Sequence, residues 1–157
     1  MRAQPLALVT LAAALVGGLS AAPPAWADTP GPVVSASGRS GSVDGFLTAG
    51  DSVHYSSTPP PTISAHGWWL DKNSGGHKAK VTVELQVQDR GGHWRTVARG
   101  SKVIKQGGGS SRRANARKTC VGDARTKWRS RVDVDIIGVA DSPNKLTTPA
   151  KSFSCGA

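Results

Sequence analysis

Residues 79–89, AKVTVELQVQD, decide the fold class. Val81, Val83, Leu85 and Val87 alternate there with Lys80, Thr82, Glu84, Gln86 and Gln88. On an extended strand, where successive side chains point to opposite faces, all four aliphatic residues share one side. On a helix, Val81 would instead share its face with Glu84 and Leu85, and no apolar stripe would form. The segment is therefore a half-buried strand. It ends in Asp89-Arg90-Gly91-Gly92, turn residues that lead into HWRTVARG (93–100), its expected hairpin partner. SKVIK (101–105) either continues that partner or begins another strand.

The same period extends in both directions. Upstream, TISAHGWWL (62–70) places Ile63, Ala65 and Trp69 on one face and Ser64, His66 and Trp68 on the other, and DKNSGGHK (71–78) is a turn. Downstream, GGGSS (107–111) is a loop, and RANARKTC (113–120) reads as a strand that ends at Cys120. VGDARTK (121–127) is the next turn. WRSRVDVDIIGV (128–139) points Trp128, Val132, Val134 and Ile136 inward and Arg129, Arg131, Asp133 and Asp135 outward. After a loop from Asp141 to Pro149, KSFSC (151–155) is the last strand, with Phe153 and Cys155 on a common face. No window carries a helical stripe. Short strands separated by turn chemistry predict an all-β fold, an antiparallel β-sandwich of about seven strands with immunoglobulin-like architecture. A small closed β-barrel is the alternative.

The N-terminal part differs. Residues 28–61 are rich in Gly, Ser, Thr and Pro, with short candidate strands at VVSAS (33–37) and SVHYSS (52–57) before Pro59-Pro60-Pro61. Proline supplies no ladder donor, so this region is expected to form edge strands or to be partly disordered, with the sandwich core in 62–157. Residues 1–27 read as a signal peptide: Arg2, an apolar run from Leu6 to Val16, and Ala25-Trp26-Ala27 as a small-x-small cleavage site before Asp28. The run falls short of the roughly 20 residues a membrane span needs. The mature chain is expected outside the cell, with no membrane span and no intracellular nucleic acid as partner. Its two cysteines, Cys120 and Cys155, are expected to pair with each other, worth about 4 kcal/mol in the chain-entropy model; a disulfide-linked dimer is the other possibility.

The chain shows in order GWW (67–69), KVTVELQVQD (80–89), the spaced set Trp94, Val97, Ala98, Arg99 and Gly100, a glycine loop, a lone cysteine, WRSRVDVD (128–135) and a terminal cysteine. In this it resembles small secreted single-disulfide β-domain proteins of actinobacteria, over roughly residues 65–155. The resemblance implies an export-associated β domain and carries no catalytic or binding residue with it.

Charge is unevenly placed. The whole chain has a formal net charge of +10, and residues 90–131 hold thirteen basic residues against the single acid Asp123, whereas 28–74 hold two against four. Arg112, Arg113, Arg117 and Lys118 precede Cys120, and Arg129 and Arg131 lie on the later strand; if those strands are neighbours, their side chains form one shallow positive field. Arginine binds phosphate and carboxylate bidentately, which suits an extracellular polyanion or cell-wall polymer. Trp68, on the face opposite Trp69, is expected to point outward, where an indole stacks on a sugar ring or packs under another segment. Trp94 and Trp128 open strands and are expected to anchor the core.

Signs of catalysis are weak. Glu84 is the only glutamate, Asp133 and Asp135 are expected to pair with Arg129 and Arg131, and no G-x-S-x-G elbow occurs. His54, His66, His77 and His93 fall in no triad or zinc spacing, although GGH occurs at 75–77 and again at 91–93. The expected function is non-catalytic binding at the cell envelope, without a cofactor. The alternatives are a protein-binding inhibitor or effector acting on a secreted protein through GGGSSRR (107–113), or an enzyme of a type these motifs do not reveal.

Overall fold

The computed structural model describes residues 32–36, 45–71, 76–140 and 145–157. The expected signal peptide, residues 72–75 of the first turn and residues 141–144 of the expected last loop lie outside them. Among the described residues ten strands are formed: β1 (Pro32–Ala36), β2 (Phe46–Asp51), β3 (His54–Ser56), β4 (Thr62–Asp71), β5 (Lys78–Gln88), β6 (Trp94–Lys105), β7 (Ala114–Thr119), β8 (Arg125–Ile136), β9 (Leu146–Thr147) and β10 (Lys151–Ser154). All pairings are antiparallel and divide into two sheets that stack without closing into a barrel. The sandwich reading therefore holds, and the barrel alternative does not.

In sheet A, β2 and β3 lie end to end along one edge of β4 and β7 lies along the other, with β1 outside β2. In sheet B, β9 and β10 share one edge of β8, followed by β5 and then β6. Both sheets thus have four rows, one of them interrupted. The 79–89 strand sits in the interior of sheet B, between β6 and β8. Its hairpin with β6 turns at Asp89–Gly92, where Gly92 N–H donates to Asp89 C=O at 3.1 Å and Gly92 adopts φ +85°, a left-handed value natural to glycine. SKVIK continues β6 without a break, and the extra residue Val97 is taken up as a bulge beside Leu85 and Gln86.

The core lies between the sheets. Val81, Val83, Leu85, Trp128, Val132, Ile63 and Trp69 are fully buried there, as the alternation requires. Both buried indoles satisfy their N–H: Trp69 Nε1 donates to Ile104 C=O at 3.2 Å, and Trp128 Nε1 to Thr126 Oγ1 at 2.6 Å. Gly67 sits on the inner face of β4 against Val83 and Val132, so the lack of a side chain lets the sheets approach. Cys120 and Cys155 form a disulfide, with Cα atoms 4.9 Å apart, tying the end of β7 in sheet A to the end of β10 in sheet B.

The N-terminal region is more integral than its composition suggests. β2, FLTAGD, was not among the expected strands, yet Phe46, Thr48 and Ala49 are buried and Val53, between β2 and β3, is fully buried. The pattern was hidden because the inner positions of β2 are Phe46, Thr48 and Gly50, only one of which is a large apolar residue. Gly50 faces Val132, which fills the space a side chain would otherwise need.

Candidate functional site

Register fixes what the outer face of sheet A displays. Residues paired across neighbouring strands share a face, so Thr62, Ser64, His66 and Trp68 of β4 point away from the core, beside Thr119, Arg117 and Asn115 of β7 and beside Ser56 and His54 of β3. Trp68 does face outward, as the alternation predicts, but it is not exposed: its relative accessibility is 5%. The Arg113 guanidinium lies 4.5 Å from the ring centroid, and the Gly108 backbone packs against the indole edge. Arg113 also donates from Nε to the Gly108 carbonyl at 2.6 Å. Trp68 therefore anchors the 107–113 loop, and this loop covers it.

In the middle of this face lies a group the sequence reading missed. Asp51, at the end of β2, is buried at 8% accessibility, and both its oxygens are engaged by His66 of β4. The His66 backbone N–H donates to Oδ1 at 2.7 Å, and the ring Nδ1 lies 2.6 Å from Oδ2. A carboxylate only accepts, so Nδ1 carries the proton of this hydrogen bond. His54 of β3 stacks on the His66 ring with centroids 5.1 Å apart and planes 15° from parallel. Arg113 Nη1 stands 3.8 Å from Oδ2, at the margin of ion pairing. Three strands contribute the three residues, which is why no local spacing betrays them. The available signals were the outward parity of His66 in TISAHGWWL and the closeness of Asp51 to His54 in DSVH. At the Thr62 end of the face, Thr58, Pro59, Pro60, Thr62, Arg117 and Thr119 line a groove of about 290 Å³.

The predicted positive field is not one surface. Arg112, Arg113, Arg117 and Lys118 belong to sheet A and its loop, whereas Arg129 and Arg131 lie on the outer face of sheet B, on the far side of the sandwich. Several of the sheet A cations are also occupied within the chain. Arg112 Nη1 donates to Gln106 C=O at 2.8 Å, and Arg117 Nε donates to Thr62 Oγ1 at 3.2 Å. Lys118 is half-buried and pairs with Ile63, a position on the inward parity of β7. The 107–113 loop is pinned by these contacts, by a short 3-10 turn at Ser110–Arg112, and by Lys102 Nζ donating to Ser111 C=O at 2.8 Å.

On sheet B, Lys127, Arg129 and Arg131 alternate along β8 and point away from the core. The Arg129 guanidinium lies 4.2 Å from the centroid of the Trp94 ring and donates from Nε to Gln86 Oε1 at 2.9 Å. Its pKa is lowered from the usual value, first by burial and then by the neighbouring Arg131 charge. Trp128 is a core residue as expected, but Trp94 is half-buried on this outer face. Asp133 does not pair with these arginines as expected. Glu84, directly across from Arg131, is bridged by Arg99 of the opposite strand, and Asp133 takes Lys145 at 2.6 Å. Among the described residues, no ion pair is formed by Lys127, Arg129 or Arg131. His77 and His93 are both exposed. Among the described residues, no helix is long and apolar enough to cross a membrane. Comparison with protein-family models, with curated proteins and with solved structures gave no match.

Proposed function

We propose that this chain is an exported, non-catalytic binding protein that associates with anionic polymers of the cell wall through the outer face of sheet B. The observation that carries this is the row Lys127–Arg129–Arg131. Alternate residues on a strand are about 6.6 Å apart and project the same way, so the row lines up three cations. Of the carboxylates near them, Glu84 is held by Arg99 and Asp133 by Lys145. Arg129 is held against Trp94 and Gln86, which orients its guanidinium at some cost in solvation and leaves it beside a like charge. An incoming phosphate or carboxylate relieves that repulsion and accepts the planar donors of both arginines. The adjacent Trp94 adds an apolar plate for the polymer backbone. The disulfide is consistent with an oxidising compartment.

Retention of the purified protein on isolated wall material tests the reading, with wall stripped of its anionic polymers as the control. The expected result is retention at low salt that falls as salt rises and is lost on stripped wall. Retention that survives both stripping and salt, or no retention at low salt, would sink the idea.

A further inference from the structure

The Asp51–His54–His66 cluster stands apart from the basic face, and the polymer-binding reading makes no use of it. Each of the three residues offers one ligand atom, and these atoms lie within 4.8 Å of one another. We propose that the cluster binds a divalent ion of the imidazole-preferring class, for which zinc is the test ion, through one carboxylate oxygen of Asp51 and one ring nitrogen each of His54 and His66. Two imidazoles with one carboxylate suit zinc, nickel or copper better than magnesium or calcium, which favour all-oxygen sites.

The geometry is close to what the ion requires. Zinc–ligand bonds of about 2.0–2.2 Å place tetrahedral ligand atoms about 3.4 Å apart. Asp51 Oδ2 and His66 Nδ1, 2.6 Å apart, must spread by about 0.8 Å to reach that spacing, and the proton between them is released to solvent as the ion enters. The widest separation in the cluster, at most 4.8 Å, must close to reach tetrahedral spacing. His54 lies on a three-residue strand with its side chain half-buried, and besides its stacking on His66 the ring makes one long 3.4 Å contact among the described residues, from Nδ1 to Ser52 C=O, so little opposes a small shift. Arg113 competes weakly for the carboxylate, because its short contacts are to Trp68 and Gly108. Three protein ligands leave further coordination positions for water or an external donor.

The test titrates zinc chloride into the purified protein in a non-chelating buffer, followed by calorimetry and by NMR of the imidazole nitrogens. The expected result is saturation at one ion per chain, with the His54 and His66 resonances shifted and those of His77 and His93 unmoved. His54→Ala should weaken binding by about tenfold or more, the scale on which lost site contacts act. His54→Phe keeps a ring against His66 without a ligand nitrogen, and it should show the same loss with the fold intact by circular dichroism. The proposal is overturned by an absence of saturable binding at millimolar zinc, by shifts confined to His77 and His93, or by unchanged affinity in a folded His54→Phe protein.

Discussion

At the scale of single residues, two glycines and one arginine show how tightly the sandwich is specified. A Cβ at Gly67 would stand 2.6 Å from Val132 Cγ1 and 2.9 Å from Val83 Cγ2. Valine is stiff at χ1 and both neighbours are fully buried, so neither can swing aside. Gly67→Ala should therefore destabilise by about 1–3 kcal/mol, read from the urea midpoint. Combining it with Val132→Ala should cost less than the two single changes summed, because the new methyl enters the space the valine leaves; strict additivity would show that the clash is not the cause. Gly100 is under a harder constraint, since a Cβ there would overlap the Asn115 backbone carbonyl, which no rotamer change relieves. Arg113 acts differently: it clamps Trp68 by a cation–π contact and a hydrogen bond. Arg113→Ala should cost about 1–2 kcal/mol and make the 107–113 loop a preferred site of limited proteolysis. A loop as resistant as in the unaltered protein would mean that Gly108 alone holds it.

At the scale of elements, β8 and the disulfide determine what is rigid. β8 pairs with three other strands, and its two parities serve opposite ends: Trp128, Val132, Val134 and Ile136 build the core while Lys127, Arg129 and Arg131 face solvent. The binding row is thus fixed by the same strand that anchors the interior. β10, by contrast, is four residues long and lies on a sheet edge. It is held by the Cys120–Cys155 bridge and by flanking hydrogen bonds, with Cys155 N–H donating to Ala124 C=O at 3.0 Å and Thr126 Oγ1 to Cys155 C=O at 2.6 Å. Replacing both cysteines with serine should lower stability by about 2–5 kcal/mol. Amide exchange should rise first in β10 and last in β5, which is paired along both edges. Uniform acceleration across all strands would contradict this order.

At the scale of the whole molecule, the two sheets turn their basic residues in opposite directions, so the net charge of +10 does not act as one field. Direct contact with a polymer can engage only one of these faces at a time, since charges further apart than about 10 Å are largely screened at moderate salt. Replacing Lys127, Arg129 and Arg131 with Ser should abolish wall retention. Replacing Arg112 and Arg117 should leave most of it, with the salt dependence changed by less than about one unit of log–log slope for each residue removed. Equal losses from the two sets would mean that bulk charge, and not the sheet B row, does the binding.

The amino-acid order by itself determined the parity of the long alternating strands, and with it the fold class. The alternation in AKVTVELQVQD and WRSRVDVD is local, and a strand obeys it wherever it is placed. The hairpin at Asp89–Gly92 was legible for the same reason, because turn chemistry acts over four residues. β2 was not legible, because its inner positions include the polar Thr48 and the side-chain-less Gly50, where Val132 from the other sheet fills the space. Only tertiary structure decided that Arg113 and Arg129 lie on opposite faces, that an outward Trp68 is nevertheless covered, and that Asp51, His54 and His66 meet. Those outcomes depend on which strands become neighbours and which loop folds over them, and period-two patterning carries no information about either.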